Sequence, residues 1–370
     1  MRRPLAVLVT LPLVLAACSA GEAAGDAAAA SSAASSSDCP APPAADPTTP
    51  DGWLGWLAEH RDDVAVVVRS GDRAVVEHRA GEPQPVASAL KVVHLAAWAT
   101  AVQEGRPALD ERVRVGDWER WYLPGTDGGA HVAALDRLGV AHDGVRALDP
   151  GAEVALSDVV SAMVRESDNA APDLLRDLLG EEALAAAAAG AGLDGAPPTF
   201  LGTFLRLVEP SGAGARAGAD ADADADAAAR RYADDPAEAA RVQALLLPGP
   251  DAQVTWAETT PAVPAAGLAD LHLALADGDP PAARAQLEWQ PPPEGLAGLG
   301  FKGGSLPGVL AEAITVRDED GTTSVGVLLV RGMAAEDWVA TLSAGLPHQQ
   351  LLVGALTDEA TAGRLACALA

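Results

Sequence analysis

The order of the predicted elements indicates an α/β (α+β) protein, with one antiparallel β-sheet flanked by helices and an inserted all-helical subdomain. Two β-branched runs near the start, Val64–Arg69 and Ala74–Arg79, predict a hairpin. Three more strands are predicted near the end, over Phe301–Gly304, Val309–Arg317 and Thr323–Val330. Because the segments between these two groups have helical patterns, we expect both ends of the chain to build one sheet that helices cover.

The first helices of the domain are predicted from apolar spacing. Trp53, Leu54 and Leu57 predict a helix over Gly52–Arg61. Ser88–Glu104 predicts a helix that is apolar on nearly every face, and such a helix is buried. Ser88 in its first turn would lie near the positive end of the helix dipole, where backbone N–H groups lack partners.

Residues 105–200 are predicted to be mostly helical, including Leu156–Arg165 and Ala170–Leu179, with a loop at Gly128–His131. Residues 211–230 alternate aspartate with alanine, which resembles the spacing of a calcium loop. The glycine and glutamate that such a loop needs are replaced by Ala225 and Arg231, so a solvated low-complexity insertion is predicted instead.

The last helices follow this insertion. Thr260-Pro261 should open a helix to about Leu275, and a helical region over Ala335–Leu369 should end the chain. We therefore predict one domain over residues 51–370, with its helical subdomain at about residues 92–275. The active site is expected between the subdomain and the sheet.

The N-terminus is predicted to be a targeting segment. Arg2 and Arg3 precede an apolar stretch, Leu5–Leu15, that is too short to span a bilayer comfortably. Cys18 follows Leu15-Ala16-Ala17, as in the cleavage box of bacterial lipoproteins. We expect residues 1–17 to be a signal peptide, Cys18 to be lipidated on the outer face of the cell membrane, and residues 18–50 to form a disordered tether. The alternative is an ordinary secretory signal with an incidental cysteine.

The charge balance excludes several partners. The chain has 25 basic and 52 acidic residues, a net charge of −27, which argues against nucleic acid and against anionic lipid headgroups. Contact with the membrane is expected only through the lipid anchor, and the protein is expected to be a monomer. The sequence contains no metal-ligand cluster, nucleotide-binding glycine loop or Gly-x-Ser-x-Gly elbow, so no cofactor is predicted.

Lysine and asparagine are confined to three short motifs. The chain has two lysines and one asparagine in 370 residues: Lys91 closes Ser88-Ala89-Leu90-Lys91, Asn169 closes Ser167-Asp168-Asn169, and Lys302 opens Lys302-Gly303-Gly304. All other positive side chains are arginine, which cannot act as a base at working pH, whereas a buried lysine can. The sequence keeps lysine where a titratable amine would be useful.

Ser-x-x-Lys, Ser-Asp-Asn and Lys-x-Gly in this order resemble the motifs of penicillin-binding proteins and class A β-lactamases, which are serine acyltransferases. The resemblance covers roughly residues 51–370 and implies a β-lactamase/transpeptidase-like fold. It also implies an acyl-enzyme on a serine, formed with a β-lactam or a peptidoglycan-like peptide.

Ser88 and Lys91 are three positions apart, so on a helix they share a face and the amine can reach the hydroxyl. The resemblance makes Ser88 the nucleophile, Lys91 its base and Ser167 the proton shuttle to the leaving nitrogen. It assigns Asn169 and Lys302 to substrate binding and gives Asp168 a structural role. Ser88 as a helix cap and Ser167-Asp168-Asn169 as a simple turn are the non-catalytic alternatives.

The resemblance also implies an oxyanion hole made of the backbone N–H groups of Ser88 and Ser305. The third motif usually carries a hydroxyl residue after its lysine, which helps bind a substrate carboxylate; here that position is Gly303. Because residues two apart on a strand share a face, Ser305 is a candidate substitute.

The glutamate that activates the deacylating water in class A β-lactamases has no clear counterpart. Glu209, followed by Pro210, and Glu258 are the candidates, and an insertion of some 45 residues separates Glu209 from Thr260. Glu209 is the candidate for the catalytic base, and the alternative is that it is an ordinary surface carboxylate. Slow deacylation of ordinary penicillins is therefore expected.

Two cysteines remain after Cys18. Export to an oxidising compartment allows Cys39 and Cys367 to pair, and in the resembled fold the two ends of the domain lie side by side. Two free thiols are the alternative. For the function, a D-alanyl-D-alanine peptidase that β-lactams inhibit and a catalytically silent envelope-binding protein both stay open.

Overall fold

A computed structural model describes residues 39–71, 73–106, 111–209, 219–278 and 281–370. Residues 1–38, which include the predicted signal peptide and Cys18, lie outside the described residues. Within the described ranges, no helix is long and apolar enough to cross a bilayer. The predicted fold class is confirmed: helices surround an antiparallel sheet in a mixed α/β arrangement.

The five-stranded sheet has the order β2-β1-β9-β8-β7, with every neighbouring pair antiparallel. Two further pairs of short strands, β3 with β6 and β4 with β5, lie outside it. The strands are β1 Val64–Ser70, β2 Arg73–His78, β3 Pro83–Pro85, β4 Arg112–Arg114, β5 Glu153–Ala155, β6 Ala262–Pro264, β7 Leu296–Leu306, β8 Val309–Asp318 and β9 Thr323–Val330.

Sixteen helices lie in the described ranges. They are α1 Pro50–Glu59, α2 Lys91–Gln103, α3 Val115–Glu119, α4 Ala130–Leu138, α5 Leu156–Arg165, α6 Ala171–Leu179, α7 Glu181–Ala189, α8 Phe200–Val208, α9 Ala219–Asp234, α10 Pro236–Gln243, α11 Pro250–Ala257, α12 Ala265–Ala276, α13 Pro281–Leu287, α14 Ala335–Ser343, α15 Pro347–Thr357 and α16 Glu359–Leu369. The helical part of the chain thus runs from α2 to α13, past the expected limit at residue 275.

The sheet separates two hydrophobic cores. Along β1, Ala65 and Val67 face the core built around α2, whereas Val66 and its neighbours face the core that contains α1, α15 and α16. This alternation follows from the two-residue period of a strand. Strand β7 forms one edge of the sheet, so its residues are available to a cleft.

Helix α2 is buried on nearly all sides, as its apolar sequence predicts. Ser88 does not belong to it, because a 3₁₀ turn over Ala87–Leu90 precedes the α-helix, which begins at Lys91. The nucleophile candidate therefore lies on a tighter turn than the sequence predicts.

Three predictions of local structure are wrong. Ala130 and His131 open helix α4 instead of lying in a loop. Thr260-Pro261 leads first into β6, and α12 begins only at Ala265. Residues 219–230 are not a solvated insertion, because they form most of α9, which buries Ala225, Ala229 and Tyr232.

Residues 39–50 are also ordered, contrary to the prediction of a tether that extends to residue 50. The indole N–H of Trp53 donates to the Pro47 carbonyl over 2.9 Å, and the Thr341 hydroxyl donates to the same oxygen over 3.3 Å. Cys39 forms a disulfide with Cys367, with the two Cα atoms 5.4 Å apart. These contacts fix the start of the domain to its last helices.

Candidate active site

Lys91 lies at the centre of a group of polar atoms contributed by two motifs. Its Nζ is 3.0 Å from Ser88 Oγ, 2.6 Å from the Ser167 carbonyl, 3.2 Å from Ser167 Oγ and 2.7 Å from Asn169 Oδ1. Ser88 reaches it from the preceding turn, and Ser167 and Asn169 reach it from the segment between α5 and α6. The first two motifs thus converge on one amine.

The surroundings of Lys91 favour its neutral form. Complete burial lowers the pKa of Lys91 well below its usual value, and the nearby Lys302 lowers it further, although Asp168, Asp127 and Asp173 oppose this. The Ser167 carbonyl and Asn169 Oδ1 are acceptors only and can take two N–H groups of the amine. The lone pair of a neutral amine is then left for the hydroxyl of Ser88.

Lys302 on the edge strand β7 approaches the same serine from the sheet. Its Nζ donates to Ser167 Oγ over 3.0 Å and to the Gly303 carbonyl over 2.6 Å. Burial lowers the pKa of Lys302 to about 7, against the opposing charge of Glu312. The hydroxyl of Ser167 therefore lies between two amines, an arrangement suited to moving a proton.

Two residues of the site have left-handed backbone angles. Ser167 has φ +67° and Ala87, next to Ser88, has φ +45°. Such angles cost a non-glycine residue about 1–3 kcal/mol and persist only where the surroundings hold them. The hydroxyls of Ser88 and Ser167 are thus both presented by constrained backbone.

A buried polar network holds the Ser167 segment. Asp168 Oδ1 accepts hydrogen bonds from the backbone N–H groups of Ala170 and Ala171, at 2.9 and 2.6 Å, and from the indole of Trp118 at 2.9 Å. Asp168 Oδ2 lies 2.7 Å from Nδ1 of His131. None of these hydrogen bonds joins Asp168 to the hydroxyl of Ser88 or Ser167, which fits the structural role that the resemblance implies.

His131 is the main residue of this network that the sequence prediction missed. Its Nε2 lies 3.1 Å from Glu119 Oε1, so the ring bridges two carboxylates. Burial alone would lower the pKa of His131, but Asp168 and Glu119 overcome this and raise it to about 9. The imidazole is therefore a cation at neutral pH. The two glycines before Ala130 made the segment look like a loop and concealed it.

The edge strand β7 passes very close to Ser88. A Cβ atom at Gly304 would lie 2.5 Å from the backbone nitrogen of Ser88, so only glycine fits there. Ser305, the next residue, was a candidate for binding a substrate carboxylate. Its Oγ accepts a hydrogen bond from Trp338 Nε1 over 3.0 Å, and the residue lines the same cleft as Ser88 and Lys302, so its role in binding a carboxylate stays a prediction. The oxyanion hole formed by the N–H groups of Ser88 and Ser305 stays a prediction.

The structure does not bring the predicted deacylation glutamates to Ser88. Glu209 lies at the end of α8 and pairs with Arg241 at 2.6 Å, and Glu258 accepts a hydrogen bond from the backbone of Gly332 at 2.8 Å. Neither lines the pockets beside Ser88. Glu209 as a catalytic base gains no support from these contacts, because its carboxylate is paired with Arg241.

A small apolar pocket of about 30 Å³ lies on one side of Ser88. The Phe200 ring lies in its wall, with its centroid 4.9 Å from Lys91 Nζ. Asp173 fixes this ring by accepting hydrogen bonds from the N–H groups of Phe200 and Leu201, at 2.9 and 2.7 Å. Among the described residues the lining contains no carboxylate and consists of Ala87, Ser88, Leu90, Pro198, Phe200, Thr203, Phe204, Trp256, Thr260, Pro261 and Leu306.

A larger cleft of about 390 Å³ opens on the other side and is lined by Ser88, Ser167, Lys302 and Gly303, among others. All three motifs therefore border one cleft. Within the described residues, no three His, Cys, Asp or Glu side chains group closely enough to hold a metal ion.

Comparisons with known proteins agree with this geometry. Residues 54–217 match the model of a family described as the β-lactamase enzyme family. Among curated protein sequences, none matches this chain. Solved structures, in contrast, match over most of the domain.

A β-lactamase from Sphaerobacter thermophilus is 19% identical, with a TM-score of 0.51, over 85% of this chain and 94% of that one. A β-lactamase from Chitinophaga pinensis is 16% identical, with a TM-score of 0.46, over 81% and 98%. A mutant of PBP-A, solved as an acyl-enzyme complex with penicillin G, is 17% identical, with a TM-score of 0.46, over 80% and 94%. At these identities the likeness indicates the fold alone. The family match over residues 54–217 supports a relation of this part of the chain to β-lactamases, and the Sphaerobacter structure shows that the fold is shared.

Proposed function

We propose that this protein is an exported, lipid-anchored acyl-serine enzyme that reacts through Ser88 with a β-lactam or a peptidoglycan-like peptide and releases the acyl group slowly. The observation that carries the proposal is the position of Lys91 Nζ, 3.0 Å from Ser88 Oγ and bonded to two pure acceptors. A buried neutral amine in this position can take the proton of the nucleophile.

Acylation then follows from groups within hydrogen-bonding distance. Ser88 Oγ attacks the amide carbonyl while its proton passes to Lys91, and the C–N bond breaks. Ser167, 3.2 Å from Lys91 and 3.0 Å from Lys302, relays a proton to the leaving nitrogen. Lys302 offers positive charge beside the developing anion, and Asn169 keeps Lys91 in place.

Release of the acyl group needs a water molecule and a base near the ester. Among the described residues, the apolar pocket beside Ser88 offers aromatic rings and no carboxylate, and Glu209 points away to Arg241. The two carboxylates that line the larger cleft, Glu166 and Glu312, are bonded to Arg137 and His348. A missing general base costs a factor of about 10² to 10⁴. This arrangement supports a penicillin-binding enzyme whose acyl-enzyme persists, in preference to a β-lactamase that releases the acyl group quickly. The Arg2-to-Cys18 pattern and the Cys39–Cys367 disulfide support export to an oxidising compartment.

The test is labelling with a fluorescent penicillin, followed on gels and by mass spectrometry. We expect label that persists for many minutes in the wild type and is absent in Ser88→Ala. Rapid turnover without accumulated label would overturn slow release, and no label in any variant would leave a catalytically silent binding protein as the better account.

A further inference from the structure

Glu312 is a buried carboxylate at the Lys302-Gly303-Gly304 end of the cleft that the acylation scheme does not use. It lies on β8 directly opposite Gly303 in the strand register. Its residue is 4% exposed, and Oε1 is 2.9 Å from Nε2 of His348. Oε2 has no hydrogen-bond partner among the described residues. A buried acceptor without a donor is destabilising, so this oxygen has capacity for a ligand that donates a hydrogen bond.

The glycine of the third motif makes room for this oxygen. A Cβ atom at residue 303 would lie 2.4 Å from Glu312 Oε2 and 2.8 Å from Cζ of Phe301. A hydroxyl residue, usual at this position in the superfamily, would collide with both. Gly303 and Glu312 therefore occur together, and the carboxylate takes the space of the missing side chain.

The cleft wall around Glu312 is polar and mixed in charge. Lys302, Phe301, Gln349 and Glu312 line the same cleft as Ser88. A free carboxylate placed here would gain from Lys302 but would meet the like charge of Glu312. A carboxamide would place its carbonyl toward the amine and its N–H toward Oε2, so both protein groups would be satisfied.

We propose that Glu312, His348 and Gly303 form a subsite for a hydrogen-bond donor, so that the enzyme prefers acyl donors with a carboxamide at this end to those with a free carboxylate. The proposal rests on the acyl-serine function proposed above. The half-buried Phe301 ring lies beside Oε2, and its rotation gives the ligand access.

The first test compares acylation rates with two probes, penicillin G and its carboxamide, by intact-protein mass spectrometry. We expect Glu312→Gln to lower the ratio of carboxamide to carboxylate rates by about tenfold, since an amide can donate to a carboxylate ligand. Glu288→Gln, which removes another carboxylate beside β7, is the matched control, because Glu288 pairs with Arg317 away from the cleft. Equal ratios in the wild type and Glu312→Gln would overturn the proposal.

The second test does not depend on acylation and separates failure of the subsite from failure of the proposed function. Binding of N-acetyl-D-alaninamide and N-acetyl-D-alanine to the Ser88→Ala protein is measured by calorimetry. Tighter binding of the amide, lost in Ser88→Ala/Glu312→Gln, supports the subsite even if no probe acylates the wild type. Equal binding, or tighter binding of the acid, overturns it.

Discussion

The two sides of Ser88 are built from opposite kinds of residue. On one side Lys91, Ser167, Asn169 and Lys302 form an unbroken chain of polar contacts between 2.6 and 3.2 Å. On the other side the Phe200 ring and its apolar neighbours enclose a pocket to which no described residue contributes a carboxylate. In the proposed function, forming an acyl-enzyme and releasing it therefore depend on separate sets of residues, so one step can be fast where the other is slow.

The largest expected effect comes from removing the base on the polar side. Lys91→Met should lower the acylation rate by about 10³-fold, because no other described group lies as close to Ser88 with a free lone pair. Lys91→Arg is the matched variant: it places a permanent cation at this position that cannot be deprotonated, so it should be as slow. The rate of adduct formation with a fluorescent penicillin is the measurement. Substantial activity in Lys91→Arg would show that Lys91 acts only by its charge.

A smaller effect, of about 10²-fold, is expected from changing the apolar side. Phe200→Glu places a carboxylate next to Lys91 and should accelerate loss of the acyl group, because it supplies the base that the pocket lacks. It should also slow acylation, since a nearby anion favours the charged form of Lys91. The lifetime of the adduct is measured after excess penicillin is removed.

Phe200→Gln is the control for this change, because it has similar size without the charge. If both variants released the acyl group equally fast, the effect would come from opening the pocket to water and not from a base. If neither did, the apolar wall would not be what limits release.

The smallest expected effect concerns His131, which supports the polar side from behind. His131→Gln should slow acylation by about tenfold, because the Ser167 segment loses a charged support. The pKa of His131 is raised to about 9 in the folded protein, so its stabilisation is full below about pH 6.5 and is lost as the pH rises through 9. The free energy of unfolding of the wild type should therefore fall by roughly 3 kcal/mol over this pH range. That of His131→Gln should not show this fall.

Urea unfolding at pH 6.5 and pH 9.5 measures this difference. His142→Gln is the matched control, since His142 bonds Asp136 at the end of the same helix, on the surface. The same pH dependence in the wild type and His131→Gln would contradict the charged state assigned to His131.

The polar side could be predicted from the sequence, and the apolar side could not. The two lysines and the asparagine stood out because they are rare in this chain, and a motif that needs a titratable amine restricts the residue type strongly. Phe200, by contrast, belongs to an ordinary amphipathic helix, and nothing in a helical pattern distinguishes a ring beside an active site from one in the core.

Contacts between residues that lie far apart in the chain also could not be predicted from the sequence. The His348–Glu312 contact joins residues 36 positions apart, and the His131–Asp168 contact joins residues 37 positions apart. Glu209 was chosen because its neighbour Pro210 suggested a familiar loop, whereas in the structure its carboxylate pairs with Arg241. Local patterns predicted the strands of the sheet well, because burial on alternate faces leaves a strong period in the sequence.

The most direct test of the account is the stoichiometry of a single encounter with penicillin G. Protein and excess penicillin are mixed rapidly, and both opened penicillin and protein mass are followed over time. We expect a burst of one opened penicillin per protein, an adduct that maps to Ser88, and a much slower rate of penicillin opening afterwards. Steady turnover without a burst or adduct, or no opening of penicillin at all, would contradict the account.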